Sequence, residues 1–406
     1  MTITGCRACG SSALDVVLSL GQTPLANGLL QESELGSPEP RFPLELVMCA
    51  DCSLVQITET VPPEVLFREY VYFSSVSDAA LANAAAIATR MAERLGLGPD
   101  SLAAEIASND GYLLGVYARR GVQVLGIDPA RNIAAVANAR GVRTLPEFFS
   151  RELAVQLAAD GQRVDVLHAN NVLAHVADLP GVVDGIRALL KDNGVAVIEV
   201  PYLRDLLDHV EFDTIYHEHL CYFSATALNE LFAAHGLVLV DVERIPIHGG
   251  TLRVFVQRSG APTEAVRALL RDEAGWGVRD VNALRAFGAR VEGLRDALRA
   301  MLAGLKAQGH RIAAYGASAK GTTLLTYCGI GAETLDYVVD RSPHKQGRYT
   351  PGTHLPIRPP EALLDDKPDY LLLLTWNFAD EILAQQQAYR ALGGRFIVPV
   401  PEPQIR

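Results

Sequence analysis

Two Cys-x-x-Cys pairs, "CRAC" (Cys6, Cys9) and "CADC" (Cys49, Cys52), restrict what the start of this chain can become more than any other feature. A segment of some 75 residues encloses little apolar interior, and four thiolates closing around one tetrahedral zinc ion would add the missing stability. The pairs stand further apart than in short zinc ribbons, which leaves room for a β-rich insertion. With sulfur in all four positions the ion keeps no open site, so Cys6, Cys9, Cys49 and Cys52 are expected to hold a structural Zn2+; reduced or redox-active cysteines are the plain alternative. The opening "MTITGCRACG" lacks the basic-then-apolar pattern of an export signal, which points to cytoplasmic thiols rather than disulfides.

At 406 residues the chain exceeds one core. From about residue 76 the apolar runs "LAAEIA", "VQVLGID", "VDVLHA" and "GVAVIEVP" alternate with helical stretches, the pattern of a parallel sheet covered on both faces. Past residue 259, Leu284, Phe287, Val291, Leu294, Leu298, Leu302 and Leu305 mark one face of a long helix. "GHRIAAYGASAKGTTLLTY" then reads as strand, turn and helix, with further strands at "LDYVVD", "PDYLLLLTW" and "GGRFIVPV". The expected fold is α/β in three parts: a zinc-binding module (1–75), a central Rossmann-like domain (76–258) and a smaller C-terminal Rossmann-like domain (259–406). No apolar run is long enough to span a bilayer. A formal charge of -11 does not attract nucleic acid at a distance.

"AEIASNDGYLL" closes the first central strand, and "GIDP" places Asp128 at the end of the second, where an acid meets ribose hydroxyls in such sheets. The loop offers Asn109 and Asp110 instead of a Gly-x-Gly-x-x-Gly phosphate cradle. Such acceptors suit a cationic, amino-bearing ligand, and S-adenosylmethionine fits better than NAD. A turn without a ligand is the alternative. The stretch "FDTIYHEHLCYFS" crowds Tyr216, His217, Glu218, His219 and Tyr222 together, and can be read as an acid/base site, a metal site or a loop whose histidines only satisfy backbone groups. Were it a strand, His217 and His219 would share a side and could ligate a metal.

Taken together, "CRAC...CADC", "EIASNDGYLL", "HANNVLAHVADL", "DTIYHEHLCYFS", "IPIHGGTLRVFV", "YGASAKGTTLLTYCGIG" and "HKQGRYTPGTHLPI" resemble the sugar C-methyltransferases of antibiotic deoxysugar pathways, in the same order over essentially the whole chain. The resemblance implies methylation at C-3 of a nucleotide-linked, dTDP-type 4-keto sugar by a cytoplasmic enzyme using S-adenosylmethionine, with a monomer plausible. It makes His219 the base, with Glu218 and Tyr216 in support and His175 and Tyr70 near the enolate. It assigns the donor to Glu105, Ala107, Asn109, Gly111, Asp128, Asn170 and Asn171, and the sugar nucleotide to Tyr72, Tyr202, His248, Arg253, Ser318, Lys320 and Lys345. Ala107 departs from the family, which usually has glycine there. Cys221 and Cys328 receive no role. Two other readings keep part of these features: a zinc-ribbon RNA methyltransferase, and a non-methylating metalloenzyme centred on His217, Glu218 and His219.

Overall fold

In the computed structural model, which describes residues 1–67, 73–76, 78–247 and 249–406, the first strands are β1 (Leu14–Thr23), β2 (Phe42–Cys49) and β3 (Val55–Ile57). They pair antiparallel in that order, and alternate residues Leu44, Leu46 and Met48 of β2 are buried. The cysteine pairs sit where this sheet turns. Cys49 ends β2, and Cys52 is carried round by Ser53 in the left-handed region (φ 56°).

The central domain holds β4 (Leu102–Ile106), β5 (Gln123–Ile127), β6 (Thr144–Leu145), β7 (Val164–Asn170) and β8 (Leu190–Pro201). The chain then makes β9 (Cys221–Tyr222) before returning with β10 (Val238–Ile245) and β11 (Thr251–Gln257). The sheet order is β10-β11-β8-β7-β4-β5-β6, with β11 antiparallel to both neighbours and the remaining pairs parallel. Its middle strands are buried on both faces, as Val166, Leu167, Val197 and Ile198 illustrate. Strand β9 does not join this sheet. It pairs with β3 of the zinc module, Val55 opposite Tyr222 and Gln56 opposite Cys221.

In the C-terminal part, β12 (Ile312–Tyr315), β13 (Val338–Val339), β14 (Ile357–Arg358), β15 (Tyr370–Leu373) and β16 (Arg395–Val398) form a parallel sheet, with β17 (Gln404–Ile405) antiparallel at its edge. The helix Val281–Ala307 buries the apolar face read from its spacing. That face meets β1 of the zinc module, where Arg285 Nε donates to the Val16 carbonyl at 3.0 Å. Among the described residues no helix is long and apolar enough to cross a membrane. Tyr70, Tyr72 and His248 lie outside the described residues.

Candidate active site

The four knuckle sulfurs lie within 4.8 Å of one another, with Cys6–Cys52 and Cys9–Cys49 each at 3.6 Å. Zinc–sulfur bonds of about 2.3 Å in a tetrahedron require sulfurs about 3.8 Å apart, so the cluster fits a structural zinc ion. All six cysteines are free. Hydrogen bonding, first with Cys52 and then with backbone groups and Gln56, holds the Cys6 thiol down to about 4. Gln56 Nε2 donates to the Cys6 sulfur at 3.1 Å, and Gln56 is also the residue of β3 that faces Cys221.

After β4 the chain turns through three left-handed residues, Ala107 (φ 52°), Asn109 (φ 49°) and Gly111 (φ 78°). Asp128 braces the turn: it accepts from the Asn109 N–H at 2.8 Å and from the Ala130 N–H at 2.9 Å. A side chain at Gly126 would collide with Ser108 and Thr144, so only glycine lets β5 approach this closely. The Asn109 side-chain oxygen accepts from the Ser74 N–H at 2.8 Å, while Asp110 accepts from Arg140 at 2.7 Å and from the Ser75 hydroxyl. Their side chains tie down the 74–76 turn, while Asp110 Oδ1 stays buried with no hydrogen-bond partner among the described residues. Glu105 Oε2, Asn170 Oδ1 and Asn171 Oδ1, at the carboxyl ends of the neighbouring strands β4 and β7, are among the buried acceptors without a hydrogen-bond partner among the described residues. An unmet buried acceptor costs about 1–3 kcal/mol, and these three would be met by the amino and hydroxyl groups of S-adenosylmethionine. Burial, reinforced by Asp128, Glu199 and Asp110, pushes the Glu105 carboxyl well above its ordinary range.

The "YHEH" stretch is a turn, closed by the His219 N–H donating to the Tyr216 carbonyl at 2.8 Å. The two histidines therefore diverge. His217 Nε2 donates to the Pro43 carbonyl at 3.1 Å, whereas His219 Nδ1 lies 2.9 Å from the Thr214 carbonyl. A carbonyl can only accept, so Nδ1 of His219 carries the hydrogen and Nε2 keeps its lone pair, directed at the Tyr216 hydroxyl 3.0 Å away. The His175 ring stands edge-on to it at 4.8 Å. Desolvation lowers His219 to about 3 and His175 to about 4, so both rings are neutral at physiological pH. Glu218 is not the group that orients His219. Its carboxylate accepts from Asn27 of the zinc module at 2.7 Å, and burial raises its pKa. Among the described residues the four cysteines alone cluster as metal ligands, which removes the geometric basis for a metal held by His217, Glu218 and His219.

The residues expected at the sugar nucleotide are scattered. Tyr202 is core, 1% exposed beneath the Arg244 guanidinium. Arg253 is buried and held by Glu199 (2.8 Å), Glu243 (3.2 Å) and Asn83 (2.5 Å), so its guanidinium braces β11 against β8 and β10. Ser318 caps the helix Ala319–Cys328 by accepting from the Gly321 N–H at 3.1 Å. Lys345 donates to the Ala317 carbonyl at 2.8 Å. Lys320 sits 4.3 Å above the Trp376 ring and 3.9 Å from Asp213, on the His219 side of the domain junction. Asn27, Thr214, Asp213 and Trp376 were not singled out by sequence. For Asp213 and Thr214 the signal was their place at the head of "DTIYHEH"; Asn27 and Trp376 carry none.

Three family profiles tile the chain: a zinc binding domain (6–67), a methyltransferase domain (84–242) and a C-methyltransferase C-terminal domain (246–401). The C-methyltransferase NovU of Streptomyces niveus is 39% identical over 99% of this chain and 97% of its own length. A ubiquinone biosynthesis O-methyltransferase of Rhodopseudomonas palustris (strain HaA2) is 35% identical over 23% of this chain and 37% of its own. Among solved structures, magnesium protoporphyrin IX methyltransferase from Synechocystis PCC 6803 with bound SAH aligns with 44% of this chain and 83% of its own at 12% identity, TM-score 0.36.

Proposed function

The chain belongs to the family of sugar C-methyltransferases, and from that premise we propose that this S-adenosylmethionine-dependent C-methyltransferase acts at C-3 of a dTDP-linked 4-keto-deoxysugar in the cytoplasm. The observation that carries the reading is the tautomer of His219: Nδ1–H held by Thr214, Nε2 holding a lone pair beside His175. A hydrogen on the carbon beside a ketone is acidic enough for such a base once the developing oxyanion is stabilised. The sugar displaces the Tyr216 hydroxyl from Nε2, His219 takes the C-3 proton, and the freed hydroxyl donates to the keto oxygen. S-adenosylmethionine, when bound, would supply the electrophilic methyl group, its methyl–sulfur bond breaking as the enolate carbon bonds to the methyl and S-adenosylhomocysteine leaving. His175, Tyr70 and Tyr72 complete the sugar pocket by resemblance, and Glu218 with Asn27 holds the turn in place. The labour divides as 1–75 for zinc and the turn, 76–258 for the donor and 259–406 for the nucleotide, with Lys345, Ser318 and Lys320 lining the approach of its diphosphate.

The test is exchange of the C-3 hydrogen for deuterium, with S-adenosylhomocysteine in place of the donor so that methylation cannot follow. Wild-type enzyme should exchange it, and His219→Asn should not. Exchange that persists in the variant would assign the base elsewhere; methylation of RNA with no turnover of any keto-sugar nucleotide would overturn the substrate.

A further inference from the structure

We propose that Asp213 and Trp376 are positioning residues that hold His219 in its base-competent tautomer, so that the C-terminal domain acts on the proton transfer itself. Asp213 is fully buried, and its carboxylate accepts from the Trp376 indole N–H at Oδ2, 2.6 Å away. Its other oxygen, Oδ1, lacks a hydrogen-bond partner among the described residues and faces the Lys320 ammonium at 3.9 Å, which in turn rests on the Trp376 ring. A buried carboxylate held by one donor and one nearby cation tolerates the loss of neither. The next residue is Thr214, whose carbonyl receives the His219 Nδ1–H. The one after is Ile215, whose carbonyl accepts from the Thr323 hydroxyl at 3.2 Å.

The residues on either side of Thr214 are thus gripped by the C-terminal domain, and Thr214 between them decides where the imidazole hydrogen sits. A neutral imidazole carries that hydrogen on one nitrogen at a time. If the Thr214 carbonyl rotates away, the hydrogen is free to move to Nε2, and a protonated Nε2 cannot accept another proton. Lys320, Trp376 and Cys328 face Asp213 from the C-terminal domain, and Glu211 from its own segment. Desolvation raises Asp213, while Lys320 and the Trp376 N–H pull it back. Removal of that N–H shifts its protonation to higher pH.

The inference rests on His219 being the base, and the experiment separates the two. Full-length, zinc-loaded protein labelled with 15N-histidine is studied by NMR, with the His219 signals assigned by their loss in His219→Asn. Wild type should show a hydrogen on Nδ1 and none on Nε2. Trp376→Phe keeps an aromatic face but loses the indole N–H with its five-membered ring; it should move the His219 signals toward the other tautomer and lower kcat about tenfold with the KM for the keto-sugar nucleotide unchanged. The acid limb of its kcat profile should also move to higher pH, which a merely structural defect would not cause. Asp213→Asn should do the same more strongly, and if it fails to fold, Trp376→Phe carries the test alone. A His219 tautomer unchanged in Trp376→Phe overturns the proposal whether or not kcat falls. Full turnover in His219→Asn would overturn the base assignment and leave the tautomer result readable.

Discussion

After β4, Asp128 accepts from a loop N–H (Asn109, 2.8 Å) and from the N–H two residues ahead of itself (Ala130, 2.9 Å); after β12, Asp340 accepts from a loop N–H (Ala317, 2.8 Å) and from the N–H two residues ahead (Ser342, 2.8 Å). The backbone plan is shared, but the two loops are charged differently. Around the first stand Glu105, Asp110 and Asp128, with acceptors left unmet. In the second, Lys345 is seated on the Ala317 carbonyl at 2.8 Å and lies 3.7 Å from Asp340. The same turn is therefore set in different electrostatic surroundings in the two places by a few side chains around it.

The largest effect expected belongs to neither loop. His219→Asn should lower kcat by about 10²–10⁴ while both ligands still bind, measured by single turnover beside titration calorimetry. Lost donor binding in this variant would instead place His219 within the first loop's ligand set. Next, Asp128→Ala should weaken S-adenosylmethionine binding by about 10- to 100-fold and Asp340→Ala should leave it unchanged. Equal losses would break the contrast between the loops. Smaller is a pH effect at Glu105. Because its folded pKa is raised, the folded chain holds that proton when the unfolded chain has released it, so donor-free stability should fall as pH rises above 4.5, the group's ordinary value. Glu105→Gln should flatten that slope in thermal melts, and an unchanged slope would assign it to other groups. The smallest effect tests the backbone: Ala107→Gly, relieving a left-handed alanine, should stabilise by about 1 kcal/mol. Gly316→Ala, at φ 95° against Thr375, should do the opposite, and melting temperatures moving the same way would contradict the geometry.

Sequence periodicity was enough for the two wound sheets and the amphipathic helix, because alternation and 3.6-residue spacing are local properties. The four cysteines were legible because metal geometry follows from spacing. Strand β9 was not, since "CY" is too short to show a period and its partner lies in another module. Contact partners were equally hidden. Nothing in "YHEH" announces that Glu218 reaches Asn27 instead of His219, or that Arg253 is spent on Glu199, because those pairings are decided by how domains dock. The turn that separates His217 from His219 could not be told from a strand by residue type alone.

Strand β9 also bears on how such genes can be recombined. Its residues are encoded in the middle of the chain, yet they complete the sheet of the first module. A hybrid made by exchanging residues 1–75 for those of a relative would import a β3 edge shaped for another protein's β9, and an Asn27 site shaped for another Glu218. The heritable unit is therefore discontinuous: the zinc module together with residues 212–224 must travel as one parcel, even though five of the seven strands of the central sheet are written between them.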